Sequence, residues 1–251
     1  MSRNLEHKVV VVTGASKGIG AGIAKEMALA GAKVVVNYSS GKDDAMGVVD
    51  EIQKAGGTAI SLQGDVSKHE DVKKLFAETI RHFGKLDVLV NNAGIYEFAL
   101  LETFSEESYR KTFDINVLGT LLASHEAAKL FGKEGGSIIN VSSFAAVRPE
   151  AYSTVYAASK GAVDSITYAL SQELGLKQIR VNTIRPGGVF TEGVAKLGAT
   201  EDSESIQGMI ARSALGRMAK PSDIGKMAVF FASDDSGIIT GQIVEVSGGF
   251  K

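Results

Sequence analysis

The sequence predicts an α/β fold in which one doubly wound parallel sheet of about seven strands carries helices on both faces, and three observations point there. Short, nearly continuous apolar runs recur at 9–12, 34–36, 88–90, 137–141 and 181–184, which suits strands covered on both sides. Between them lie stretches of helical periodicity with short connections and no internal repeat, low-complexity tract or proline-rich linker. At 251 residues with 44% hydrophobic content, the chain can bury a substantial core as one domain over residues 1–251.

The first apolar run leads into Thr13-Gly14-Ala15-Ser16-Lys17-Gly18-Ile19-Gly20 and then into a helical pattern carrying Ile23, Ala24, Met27 and Ala30. Strand, turn and helix in that order form a phosphate cradle. The glycines let backbone approach a pyrophosphate, and the free N–H groups and positive dipole end of the helix stabilise its charge. Gly14, Gly18 and Gly20 depart from the GxGxxG spacing, so the second recognition element has to be read separately. After the strand at 33–36, an NAD site normally places an Asp or Glu for the adenosine ribose. This chain has Asn37-Tyr38-Ser39-Ser40. With no carboxylate there to repel a 2′-phosphate, and with Lys17, Ser39 and Ser40 as donors, NADP(H) is the expected cofactor and NAD(H) the alternative.

A third strand ends at Gly64-Asp65-Val66. A helix at 68–83 follows, with Ser67 and Glu70 as a capping box, Val72, Leu75, Phe76, Ile80 and Phe83 on one face, and Gly84 as its stop. The fourth strand runs into Asn91-Asn92-Ala93-Gly94, the fifth into Ser142-Ser143, and the sixth into Arg185-Pro186-Gly187. Residues 188–213, rich in small and polar residues, read as a lid over the pocket, for which Phe144, Tyr152, Phe190 and Leu197 are apolar lining candidates. A last strand is expected within 238–246, followed by the tail Ser247-Gly248-Gly249-Phe250. Right-handed crossovers place every strand's C-terminal end on one edge, where such sheets bind ligands.

Tyr156 and Lys160 are four residues apart on a helical stretch, so they share a face. A nearby ammonium favours the phenolate and draws the tyrosine pKa toward working pH, which equips it to exchange protons with an alcohol. Tyr38 and Lys42 repeat the spacing in a polar stretch, so spacing alone decides nothing.

Composition narrows the partners. A net charge of −2 offers no bulk positive field for nucleic acid or an acidic membrane. No cysteine is present, which removes disulfides, thiolate catalysis and cysteine metal sites. His7, His69, His82 and His125 are scattered without ligand spacing, so no metal site is expected. The polar start and the lack of an apolar run of about 18 residues lead us to expect a cytoplasmic protein without a membrane anchor. The acidic pairs Asp43-Asp44, Glu106-Glu107 and Asp234-Asp235 read as solvated charge.

The glycine turn, Asn91-Asn92-Ala93-Gly94, the Tyr156 to Lys160 spacing and Arg185-Pro186-Gly187, in this order, resemble the motifs of the short-chain dehydrogenase/reductase family of compact, single-domain type, over residues 5–250. Carbonyl reductases, glucose dehydrogenases and 3-oxoacyl carrier-protein reductases belong to it. The resemblance implies a Rossmann-type sheet and hydride transfer between nicotinamide and a ketone or secondary alcohol. It implies Tyr156 as proton donor, Ser143 on the substrate oxygen with Ser142 facing away, Lys160 lowering the tyrosine pKa and holding the nicotinamide ribose, and Asn116 positioning a water. For the cofactor it implies Gly14, Ser16, Lys17, Gly18, Ile19 and Gly20 at the phosphates and residues 37–40 at the adenosine ribose. Asp65 would hold the adenine amine beside Val66. Asn92, Ala93 and Gly94 would lie against the ribose, with Asn92 alternatively a brace, and Pro186, Gly187, Val189 and Thr191 would pass the nicotinamide. A small-molecule carbonyl or alcohol substrate and a homotetramer complete the expectation. A carrier-protein reductase would want a more basic segment than Lys133-Glu134-Gly135-Gly136. A sugar dehydrogenase and a catalytically idle redox sensor are the other readings.

Overall fold

In a parallel sheet covered on both faces, successive side chains of each strand must enter different cores. The computed structural model, which describes residues 4–192, 200 and 202–250, shows this division. Strands β1 (Val9–Val12), β2 (Lys33–Tyr38), β3 (Thr58–Gln63), β4 (Val88–Asn91), β5 (Gly136–Val141), β6 (Ile179–Pro186) and β7 (Ile243–Val246) lie in the order β3-β2-β1-β4-β5-β6-β7, all parallel. The helices are α1 (Gly18–Leu29), α2 (Lys42–Lys54), α3 (His69–Phe83), α4 (Glu106–Phe113), α5 (Gly119–Leu130), α6 (Thr154–Leu174), α7 (Glu204–Arg212) and α8 (Pro221–Ala232).

Val10, Val12, Val34, Val36 and Val90 point to one face, where Ile23 and Met27 of α1 and Ile224 and Phe231 of α8 cover them. Val11, Val35, Leu89, Ile138 and Val181 point to the other, against Val72, Leu75 and Phe76 of α3 and Ala123 and Ala127 of α5. Each fully buried Val, Leu or Ile contributes about 1.5–3 kcal/mol, so the strands form a stiff platform for the loops at their ends. The chain leaves β1 toward β2 on one side and enters β4 on the other, so the loops after β1 and β4 flank the switch point.

Two expectations need correction. The capping box is absent: Ser67 Oγ donates to Asp65 Oδ1 at 2.7 Å and the Ser67 N–H to the same oxygen at 3.0 Å, so a local turn consumes the hydroxyl. Gly84 does end α3, with φ 78°. The last strand covers only Ile243–Val246, because Thr240 and Gln242 bond to β6 through side-chain groups and single backbone contacts rather than a ladder. The segment expected as a lid includes α7, which buries Ile206, while Leu197 lies outside the described residues. Phe250 of the tail is buried edge-on to Phe144 at 4.8 Å and beneath the Arg212 guanidinium at 4.4 Å.

Among the described residues no helix is long and apolar enough to cross a membrane, and no group of three or more His, Asp or Glu could hold a metal.

Candidate active site

The glycine turn is built around backbone contact. Gly14 and Gly18 adopt φ of +59° and +58°, the left-handed region that favours glycine. A Cβ on Gly20 would stand 2.4 Å from Asn92 Nδ2 and 2.5 Å from the Gly14 carbonyl oxygen. The turn therefore meets the loop after β4 with no room for side chains. Thr13, not singled out from the sequence, is the hub: its Oγ1 accepts from the Asn92 and Ala93 N–H groups, both at 3.0 Å, and donates to the Val90 carbonyl at 3.2 Å. Asn92 Nδ2 donates to the carbonyls of Thr13 and Gly14 at 2.9 and 3.0 Å, so it acts as the brace.

The donor chemistry fits a dinucleotide phosphate. The Gly18 N–H at the start of α1 donates to a Glu192 carboxylate oxygen at 3.0 Å, where that oxygen stands in for a phosphate oxygen. Ile19 packs against the first core face, Ser16 is half-buried, and Lys17 is exposed with Ser39 and Ser40. Thr191 lies over the turn, 3.6 Å from where a Gly18 Cβ would be.

Two expected adenosine contacts are reassigned. β2 runs two residues past its apolar run, so Asn37 and Tyr38 are strand residues with buried side chains. Asn37 accepts from the Gly14 N–H at 3.2 Å and donates to the Leu62 and Gly64 carbonyls at 3.3 and 3.0 Å, which commits its amide to bracing. Tyr38 packs into the first core. Asp65 is half-buried, with one carboxylate oxygen taken by Ser67, and Val66 is buried against the start of α5 at Gly119. Pro186 is buried, Val189 bridges to Ala219, and Gly187 is small because a Cβ there would meet Ser247 Cβ at 2.6 Å.

The proposed chemistry converges on α6. Lys160 Nζ lies 5.9 Å from the Tyr156 ring centroid and donates to the Val141 carbonyl at 2.9 Å. A Cβ on Gly94 would stand 3.3 Å from that Nζ and 3.2 Å from Asn116 Oδ1, so the glycine keeps the approach open. Asn116 sits in a π-helical segment, Asp114–Leu118, of the kind that often marks functional sites. Its buried amide accepts from the Ile95 N–H at 2.9 Å and donates to the Ile95 carbonyl and Ser159 Oγ, both at 3.0 Å. Ser142 Oγ donates to the Lys160 carbonyl at 3.1 Å, whereas Ser143 accepts from the Ala145 N–H at 3.1 Å and interacts with the Tyr156 hydroxyl.

Electrostatics correct the sequence expectation for the phenol. Burial pushes the Tyr156 pKa above its ordinary value, and the Ser143 hydrogen bond only opposes this. Lys160 does not reverse this shift; its ammonium donates to the Val141 carbonyl. Burial lowers Lys160 itself to about 8, against the opposing charge of Asp164 one turn further along α6. Asp164 is held by Arg185 at 2.6 Å, and Asp164 Oδ1 and Arg185 Nε are buried without hydrogen-bond partners among the described residues.

Sequence reasoning passed over Tyr96 and Phe98. Their ring centroids lie 6.3 and 6.2 Å from that of Tyr156. The available signal was two aromatics separated by one residue, starting two positions after Gly94.

A family model described as enoyl-(acyl carrier protein) reductase matches residues 14–251. The chain belongs to the short-chain dehydrogenase/reductase family. It is 50% identical over 98% of its length to an uncharacterized oxidoreductase of Methylorubrum extorquens, covering 99% of that protein. A hydroxynaphthalene reductase-like protein of Metarhizium robertsii is 40% identical over 98% of this chain and 96% of its own. A short-chain dehydrogenase of Burkholderia cenocepacia, solved in complex with NADP, superimposes with a TM-score of 0.91 at 34% identity over 98% of each chain. As a short-chain dehydrogenase/reductase, the protein is an NAD(P)-dependent oxidoreductase.

Proposed function

We propose that this enzyme is an NADP(H)-dependent carbonyl reductase interconverting a ketone and a secondary alcohol, with Tyr156 as proton donor and acceptor. The observation that carries the reading is the meeting of Tyr156, Ser143, Lys160 and Asn116 beside Gly94, at the strand ends that also bear the glycine turn. A reduced nicotinamide held there would supply a hydride to the carbonyl carbon, and charge would then grow on the carbonyl oxygen. A tyrosine kept protonated by burial is the form able to give that oxygen a proton. The Ser143 hydroxyl, already partnered with Tyr156, is placed to donate to the same oxygen. Lys160 holds positive charge behind the phenol, and Asn116 ties the loop after β4 to α6 through Ile95 and Ser159.

Exposed Lys17, Ser39 and Ser40, with no carboxylate among residues 37–40, support the 2′-phosphorylated cofactor, as does the NADP complex of the Burkholderia relative. The reading also takes residues 1–251 as one catalytic domain of a cytoplasmic homotetramer. Exposed Leu118, Leu121 and Tyr168 on the π segment, α5 and α6 support subunit packing there, and light scattering checks the mass.

The test is ketone-dependent oxidation of NADPH against NADH across a ketone panel. We expect kcat/KM at least about tenfold higher with NADPH, a margin of about 1.4 kcal/mol. Equal values would remove the cofactor preference. Dinucleotide binding without turnover of any ketone would favour the redox-sensor reading instead.

A further inference from the structure

The geometry points to a planar aromatic ketone as the substrate class, recognised by a preformed wall of aromatic rings beside Tyr156; this rests on the carbonyl-reductase reading and narrows it. The rings of Tyr96 and Phe98 pack edge-to-face on Tyr156, at 6.3 Å and 71° and at 6.2 Å and 61°, and lie 5.9 Å from each other. These separations are within the range in which aromatic pairs attract. Yet Tyr96 is 58% and Phe98 62% exposed. Two large rings left mostly in water beside the reacting phenol are incompletely covered, and a flat ring from a ligand would cover them.

The wall is held before any ligand arrives. At one end both backbone groups of Ile95 bond to the buried Asn116 amide. At the other the Ala99 N–H donates to the Tyr152 carbonyl at 2.8 Å, and Tyr152 accepts a left-handed φ of 70° that is rare for a bulky residue. A wall fixed at both ends needs little ordering when a ligand binds.

Its chemistry selects a neutral ligand. Glu97, between the two rings, directs its carboxylate to Ser108 Oγ at 2.6 Å and Lys111 at 3.2 Å, away from Tyr156. Lys160 is buried behind the phenol, and Asp164 is paired with Arg185. Among the described residues, the wall itself offers apolar ring surface with only the Tyr96 hydroxyl besides the Ser143 and Tyr156 hydroxyls that face the carbonyl oxygen, a poor match for a polyhydroxylated sugar or an acyl chain carrying phosphate. An aryl ketone matches better, because conjugation holds its carbonyl in the plane of its ring. Stacking the ring therefore also aims the carbonyl oxygen.

The experiment compares a fused aryl ketone with its saturated counterpart, 1-tetralone against 1-decalone. Two quantities are read: kcat/KM with NADPH, and Kd for the protein–NADP+ complex by fluorescence titration. We expect at least about tenfold in favour of 1-tetralone in both, of the order set by one or two aromatic pairs. Phe98→Leu should lower the ratio severalfold and the Tyr96→Leu/Phe98→Leu double variant should bring it near one, whereas Tyr96→Phe, which keeps the ring, should preserve it. A ratio near one in the parent protein, or an unchanged ratio in a folded double variant, overturns the inference. If no ketone is turned over, the carbonyl-reductase reading fails while the Kd ratio still decides whether the wall selects aromatics.

Discussion

Replacing Lys160 by methionine is expected to stabilise the fold while removing activity. Methionine keeps the length of the side chain but not its charge, and the site it enters is closed to water. Burial brings Lys160 from its ordinary 10.5 to about 8, and at 1.36 kcal/mol per pKa unit the gap corresponds to about 3 kcal/mol of cost in burying the ammonium. The substitution also strips the Val141 carbonyl of its donor, which takes back about 1 kcal/mol. The variant should therefore be more stable at pH 7 by roughly 2 kcal/mol.

The sign follows from linkage. Below about 8 the lysine is charged in both states and the cost is fully present; between about 8 and 10.5 only the unfolded chain keeps the proton, so the cost fades as pH rises. Denaturant unfolding of the cofactor-free parent and variant, at equal protein concentration and at pH 7, 9 and 10.5, reads the difference directly. A variant less stable than the parent at pH 7, or an advantage that does not shrink toward pH 10.5, refutes the reasoning.

Other consequences are more local. Gly20→Ala would force a Cβ to 2.4 Å from Asn92 Nδ2 and 2.5 Å from a backbone carbonyl, so dinucleotide affinity by fluorescence titration should fall at least about tenfold; unchanged affinity would mean the turn is not the phosphate cradle. Glu192→Gln removes an anion from the Gly18 N–H, and cofactor Kd should tighten about two- to fivefold, as expected for one charge at a helix start; weaker binding would mean Glu192 helps rather than competes. Ketone reduction in the parent should decline as pH rises through about 8 with loss of the Lys160 charge, and a flat kcat/KM profile between pH 7 and 9 would contradict that role.

Much of this was legible in the sequence because it is repetitive physics. Short continuous apolar runs such as 9–12 and 88–90, alternating with helical patterns, suit strands covered on both faces, and the motifs at their ends then fall on one edge. What escaped depends on long-range meetings. Tyr96 and Phe98 gain meaning only from Tyr156, about sixty residues later in the chain. Asn37 and Tyr38 read as ribose contacts because the end of β2 could not be located, and two further strand residues turned them inward. Ser67 had two uses for one hydroxyl, and the nearby Asp65 took it. The tyrosine pKa went the other way because the spacing to Lys160 says nothing of how deeply both are buried or of the Val141 carbonyl that engages the ammonium.

The most direct measurement is single-turnover oxidation of bound NADPH by an aryl ketone in Tyr156→Phe and in the parent protein, with cofactor Kd measured on both. If the phenol delivers the proton, the variant binds cofactor as the parent does and reacts about a hundred- to ten-thousandfold more slowly. A variant reacting at the parental rate would contradict the assignment of Tyr156, and with it the site built around α6.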